Sequence, residues 1–187
     1  MNQVQPEGSF IETQLATLGG GCFWCTEALF REVEDVIKVV PGYSGGFLPY
    51  PTYEQVLTGT TGHAEVVQIA FNPEFVTFRE ILQVFFLVHD PTTINRQGAD
   101  VGSQYRSVIF YHTMEQEVAS KEIIKEIDSS RTLDSPIVTQ IEPFEAFYEA
   151  EDYHKKYYER NPKLSYCQIV ISPKISKLQR HHQELNT

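Results

Sequence analysis

Cys22 and Cys25 lie three residues apart in Gly19-Gly20-Gly21-Cys22-Phe23-Trp24-Cys25-Thr26-Glu27, and they enclose the only tryptophan of the chain. A thiol becomes a nucleophile by losing its proton, and an ordinary cysteine with a pKa of about 8.5 is mostly neutral at pH 7. Three glycines allow close backbone approach and positive φ. A helical pattern follows them, so the run predicts an exposed Cys22 at a strand-to-helix turn. There the positive end of a helix lowers a thiol pKa. The opposing reading, Cys22 as a small buried hydrophobe, fits poorly with a triple-glycine approach. On a helix, positions i and i+3 share a face, which puts Cys22 and Cys25 within the range a disulfide tolerates. The spacing suggests a dithiol of the thioredoxin type. Phe23-Trp24 between the thiols is a different choice from the small residues of such proteins. Two adjacent rings beside a reactive sulfur can enclose a methyl or thioether group.

An acid is needed if the thiol is to displace a poor leaving group. Glu65, in Gly62-His63-Ala64-Glu65, enters an apolar strand. A carboxyl group that loses hydration rises in pKa and can serve as a general acid near neutral pH. The alternative is a salt-bridged surface glutamate. His63 reads as a loop-packing residue. The six histidines are scattered and none pairs with a cysteine at zinc-site spacing, so no metal is expected. Tyr53 and Tyr105 could each offer a phenolic hydrogen bond to a substrate oxygen. With ten tyrosines in the chain, most must pack, so neither is a strong signal alone.

These groups must be held by a core. The chain has 187 residues, 41% hydrophobic and 12% aromatic, which suffices for one α/β domain. A net charge of −10 argues against nucleic acid as the main partner. No apolar run approaches a membrane span, and residues 1–7 show no basic region followed by an apolar one, so no export signal is expected. Three cysteines are an odd count that forms no disulfide framework, which fits a reducing, cytoplasmic setting.

The pattern predicts a strand at 11–18, a helix at 26–34 and a strand at 36–42. A long, largely irregular surface loop follows at 43–62, then a strand at 64–71. Thr77 and Glu80 form a capping box for a helix at 78–88. A second irregular stretch at 89–103 leads to a strand at 105–111. Thr113 with Gln116 opens a helix that ends near Ser129, and a strand is expected at 137–142. This order matches a two-layer α/β (α+β) sandwich with a ferredoxin-like βαββαβ core. The C-terminal segment looks irregular. Residues 150–160 read as a polar aromatic helix or an extended wrap, 168–171 as a strand, and the basic tail 173–187 as a solvated surface helix.

Gly21-Cys22-Phe23-Trp24, Gly42-Tyr43-Ser44-Gly45-Gly46, Pro51-Thr52-Tyr53, Gly62-His63-Ala64-Glu65, His89-Asp90-Pro91, Arg96-Gln97-Gly98-Ala99-Asp100, Gly102-Ser103-Gln104-Tyr105-Arg106-Ser107 and Ala150-Glu151-Asp152-Tyr153-His154 occur in that order. As an ordered set, over roughly residues 13–172, they resemble peptide methionine sulfoxide reductase A, MsrA. The resemblance implies a single catalytic domain that reduces methionine-S-sulfoxide, free or in oxidised proteins. It implies Cys22 as nucleophile, Phe23 and Trp24 as a methyl cage, and Glu65 as proton donor with Tyr53 and Tyr105 as hydrogen-bond partners. Asp100 would help orient the site. No metal or organic cofactor is implied; thioredoxin, or dithiothreitol in its place, would supply electrons, and a monomer is expected.

The chain departs from the family pattern at Cys25. Many members have glycine there and resolve the sulfenic acid with cysteines of a C-terminal tail. Here the tail holds only Cys167. Disulfide geometry favours Cys25 as the resolving thiol, with Cys167 as the alternative. A general dithiol oxidoreductase that does not need Glu65, and a binding module that does not need Cys22, are the competing readings.

Overall fold

The computed structural model describes residues 12–185. The reading of residues 1–7, the first residue of the strand expected from 11, and the end of the tail lie outside them. The elements are β1 (Gln14–Gly19), α1 (Phe23–Phe30), β2 (Val36–Ser44), α2 (Tyr53–Leu57), β3 (Ala64–Phe71), α3 (Phe78–Val88), β4 (Arg96–Gln97), β5 (Asp100–Val101), β6 (Val108–Tyr111), α4 (Met114–Ser130), β7 (Gln140–Pro143), β8 (Phe147–Glu149), α5 (Tyr157–Arg160) and α6 (Ser172–Leu185). Six strands form one sheet in the order β7-β6-β1-β3-β2-β8, and β4-β5 is a small separate hairpin. Within the large sheet only β6 and β7 run parallel; the other neighbours are antiparallel. The mixed α/β class is as expected.

Alternation along β3 sorts its side chains between two apolar clusters. Val67, Ile69 and Phe71 join the main core with Leu18, Phe30, Ile81, Leu82 and Phe85. Ala64 and Val66 point the other way, onto Val108 and Phe110. Glu65 shares the parity of Val67 and Ile69, so the pleat aims a carboxyl group at the face that carries α1. Helix α3 starts at the expected capping box: Thr77 accepts from the Glu80 N–H, and Glu80 accepts from the Thr77 N–H. Thr113 caps α4, but Gln116 turns its amide oxygen to the His112 N–H, so only half of that box forms.

Several expectations are corrected. Helix α1 begins three residues earlier than 26–34, because the glycine turn delivers the chain directly into Phe23. Residues 43–62 have little regular structure, as expected, but two pieces of it were not foreseen. Strand β2 runs through Ser44, and Thr52 with Gln55 forms an unforeseen capping box on α2. The strand expected at 105–111 starts at Val108, since Ser103–Tyr105 makes a 3-10 turn. The strand expected at 137–142 is β7, at 140–143. After Glu149 the chain is irregular, with a 3-10 turn at Asp152–His154 and the short α5. Residues 168–171 are not a strand: Cys167–Ile171 is a π-helical turn leading into α6. The physical reason is a stripe, Cys167, Ile171, Ile175 and Leu178, buried at helical spacing. The tail helix is therefore packed along one face rather than simply solvated.

Candidate active site

Close packing brings the thiol to the carboxyl group. Gly21 has φ +93, and a Cβ there would meet the Gln97 side chain at 2.6 Å. A Cβ on Gly19 would lie 3.0 Å from the Glu65 carbonyl oxygen. The turn thus requires glycine for conformation at one position and for clearance at another. Cys22 is the N-cap of α1, with extended φ/ψ, and its carbonyl accepts the Cys25 N–H at 3.0 Å. The expected exposure of Cys22 is not found: its relative exposure is 7%, because the rings that follow it and the C-terminal segment close over the turn. Burial pushes the Cys22 thiol well above its ordinary value, aided by its hydrogen bond to Cys25 and the charge of Glu65. That hydrogen bond lowers Cys25 to about 7 against its own burial, with further help from Lys174. The two sulfurs share one early-leaving proton, so the nucleophile is a coupled thiol pair rather than a lone helix-end thiolate.

Glu65 is 1% exposed. One carboxyl oxygen, Oε2, accepts the Phe23 N–H at 3.0 Å, the first free donor of α1. The other, Oε1, is buried without a hydrogen-bond partner. Burial raises Glu65 to about 8, against the lowering effect of Phe23. It is a carboxylic acid at neutral pH, with one oxygen anchored and the other buried without a partner, close enough for its charge to act on Cys22. The surface-glutamate reading is excluded.

The two rings expected to form a cage lie next to the sulfur. Phe23 packs on Tyr43 and Tyr53, with ring centroids 5.7 and 6.2 Å apart. Trp24 faces Tyr53 at 6.5 Å and donates its indole N–H to His154 Nδ1 at 2.9 Å. Tyr157 stacks on Trp24 at 3.7 Å, nearly parallel. Burial first of all, and then the charge of Glu65 with a further contribution from Cys22, pushes Tyr53 and Tyr105 well above an ordinary phenol, so they remain hydrogen-bond donors. Asp100 accepts a hydrogen bond from the Tyr166 hydroxyl at 3.0 Å, and that hydroxyl lies 3.6 Å from Cys25 Sγ. Cys22, Cys25, Phe23, Trp24, Glu65, Tyr53, Tyr105 and Asp100 thus form one constellation. Cys167 is buried behind it, raised by burial and by the charge of Cys25.

The supporting residues were not foreseen as such. Glu151 accepts from the Tyr43 hydroxyl and the Tyr53 N–H at 3.2 and 3.0 Å, and it lies 3.3 Å from His154 Nε2. Glu27 is buried on α1 and takes the Lys156 N–H on both oxygens at 2.9 Å. That clamp holds Lys156 at φ +52 and so delivers Tyr157 to Trp24. The motif Ala150-Glu151-Asp152-Tyr153-His154 carried a signal for the first two. For Glu27, Tyr157 and Tyr166 only the fold supplies the contact. His63 packs the 45–48 loop, accepting from the Gly46 N–H and bonding the Leu48 carbonyl oxygen, as expected. Among the described residues no cluster of three metal-ligating side chains occurs.

A buried thiol pair, an un-ionised carboxyl group and an aromatic cage on a mixed α/β sheet define a thiol-dependent oxidoreductase. The family model described as "Peptide methionine sulfoxide reductase" matches residues 14–186. The peptide methionine sulfoxide reductase MsrA of Sulfolobus acidocaldarius is 57% identical over 168 residues, 90% of this chain and 94% of that protein. Reduced Mxr1 from Saccharomyces cerevisiae superposes with a TM-score of 0.77 at 38% identity, covering 83% of this chain and 89% of that one. Mxr1 in complex with Trx2 matches at a TM-score of 0.56 and 27% identity, over 83% and 89% of the two chains. The chain belongs to the peptide methionine sulfoxide reductase family, and its activity is the reduction of methionine sulfoxide.

Proposed function

We propose that Cys22 is the nucleophile and Glu65 the proton donor for reduction of methionine-S-sulfoxide, within a single catalytic domain. The observation that carries this reading is the unpartnered Glu65 Oε1, a buried acid oxygen beside the Cys22–Cys25 pair. A sulfoxide sulfur is a moderate electrophile and its oxygen leaves poorly. With the methyl group against Phe23 and Trp24, the sulfoxide oxygen replaces the missing partner of Oε1. Tyr53 and Tyr105 donate further hydrogen bonds to it. Protonation by Glu65 as the Cys22 sulfur attacks places OH on that sulfur and releases methionine. The apolar wall excludes water and keeps Glu65 protonated until substrate arrives.

The product is a sulfenic acid on Cys22. Cys25 resolves it: its sulfur is hydrogen-bonded to Cys22, whereas Cys167 reaches Cys25 only through its charge. Water leaves and a Cys22–Cys25 disulfide remains. An external dithiol protein of the thioredoxin class returns the enzyme to its starting state, a role supported by the Mxr1–Trx2 complex. No metal or organic cofactor takes part, the working form is a monomer, and the compartment is the cytoplasm. Among the described residues no helix is long and apolar enough to cross a membrane.

The deciding experiment is turnover of S- and R-methionine sulfoxide with dithiothreitol. Selective reduction of the S form, abolished in Cys22→Ser, is the expected result. Turnover of neither form, or S turnover that survives Cys22→Ser, removes the assignment. Insulin-type disulfide reduction that is indifferent to Glu65→Gln would instead favour the general dithiol reading.

A further inference from the structure

Tyr166 stands apart from the residues already given a role. It belongs to the helical turn before Cys167, and its hydroxyl meets Asp100 and the thiol pair at once, bonding Cys22 as well as Cys25. It donates to Asp100 Oδ2 at 3.0 Å and lies 3.6 Å from Cys25 Sγ. The ring is held edge-on to Trp24 with centroids 5.8 Å apart, so the hydroxyl has little freedom to point elsewhere. Because its proton is committed to Asp100, its oxygen presents a lone pair to the Cys25 S–H.

We propose that Tyr166 is a catalytic residue of the second half-reaction, passing the Cys25 thiol proton to Asp100 as the disulfide forms. This rests on the reading of Cys25 as the resolving thiol. The Cys25 S–H bond breaks and the proton goes to the phenol oxygen, while the phenol's own proton moves to the Asp100 carboxylate. The Cys25 sulfur attacks Cys22 Sγ, the S–S bond forms and the Cys22 S–O bond breaks. The hydroxyl leaves as water, taking the proton that Asp100 received. Thiol plus sulfenic acid thereby become disulfide plus water, with no outside oxidant. Burial between the two thiols pushes Tyr166 far above an ordinary phenol, so it passes the proton in one concerted motion and does not rest as phenolate. Asp100 acts through Tyr166 and is a positioning and proton-holding residue.

The same contact explains why a resolving thiol can occupy a helix. Cys25 cannot travel, so its ionisation must be assisted where it lies. The groups that act on it are Cys22 at the start of α1, Tyr166 and Cys167 from the C-terminal turn, Lys174 from α6, Asp100 from β5 and Glu65 from β3. Of these only Tyr166 touches the sulfur and has an acceptor behind it.

The test is a single turnover with one equivalent of methionine-S-sulfoxide and no external reductant. Methionine release reports the first step. Dimedone trapping and mass mapping report the sulfenic acid and the disulfide. In Tyr166→Phe, disulfide formation should slow by about tenfold or more beyond any slowing of methionine release, so that sulfenic acid accumulates. Raising the pH from about 7 to about 9.5 should restore most of that rate, because Cys25 loses the Cys22 thiol that lowers it once that sulfur is oxidised, and then ionises without a relay only in alkali. Asp100→Asn keeps an acceptor but holds no extra proton, and should show the same pH-dependent defect. It carries the test if Tyr166→Phe proves unstable. Equal slowing of both steps, a defect that alkali does not relieve, or a wild-type disulfide between Cys22 and Cys167 overturns the proposal. A wild-type protein that releases no methionine instead overturns the reductase assignment beneath it.

Discussion

Glu65 and the thiol pair set opposite demands on pH. The first proton leaves the pair near 7, and Glu65 keeps its proton up to about 8. Methionine release in single turnover should therefore rise with pH through about 7 and fall above about 8, a narrow bell. Glu65→Gln should slow release by about 10²–10⁴-fold and abolish the alkaline limb, since an amide has no acidic proton to lose. A variant with near-normal rates, or one that keeps the alkaline fall, would take the acid role away from Glu65. The aromatic wall is the reason that the acid works at all. Trp24 is fixed by His154 on one side and Tyr157 on its face, so Trp24→Ala removes both the methyl contact and the water barrier. Its KM for sulfoxide should rise and the alkaline limb should move toward lower pH; a KM change alone would restrict Trp24 to substrate contact.

The β1–α1 junction is the element that brings thiol and acid together. Gly21→Ala must adopt a φ disfavoured by any side chain and push its Cβ against Gln97. It should cost about 1–3 kcal/mol of stability, read by urea unfolding, and reduce activity further by displacing the Cys22 N-cap. The C-terminal helix is the second element on which the site depends. Leu178 is fully buried on α6, and Leu178→Ala should cost about 2–5 kcal/mol. Exposed Ser176 gives the contrasting position on the same helix, where Ser176→Ala should remain within about 0.5 kcal/mol. Equal, small effects at both would mean that α6 does not pack. Since α6 and the π turn before it carry Lys174, Cys167 and Tyr166, loosening α6 should also slow disulfide formation.

Folding stability carries the mark of the buried acid. The folded-state value of Glu65, about 8, lies above that of an unfolded glutamate, so the folded protein binds more protons between roughly pH 4.5 and 8. Stability must then decline as pH rises through that window, relative to a variant without the group. The difference in unfolding free energy between Glu65→Gln and wild type should shift by several kcal/mol in favour of the variant between pH 5 and 8, then level off. A flat difference would mean that Glu65 ionises normally. The molecule accepts this cost because one carboxyl oxygen must remain free for substrate; a fully bonded acid would be more stable and would have nothing left to donate.

Much of this was legible in the chain. The glycine turn, the thiol spacing and the ring pair are local, so Cys22, Cys25, Phe23 and Trp24 could be read together from one segment. The strand at 64–71 and the capping box of α3 also depend on neighbours in sequence, and both were legible. Glu65 was readable as a strand glutamate but not as a protonated one, since its pKa depends on how completely β3, α1 and the rings exclude water. Cys22 was misjudged as exposed for the same reason: chemistry in the glycine turn is local, but burial is a property of everything packed over it. The helical stripe of Cys167, Ile171, Ile175 and Leu178 was present in the sequence, yet the apolar run Ile169-Val170-Ile171 also satisfies a strand. Only contact with α1 and α3 selects the helix. Composition and spacing determined which atoms could react. The tertiary structure decided which of them keep their protons, because desolvation and long-range hydrogen bonds, such as Tyr166 to Asp100 across 66 residues, exist only once the chain has closed on itself.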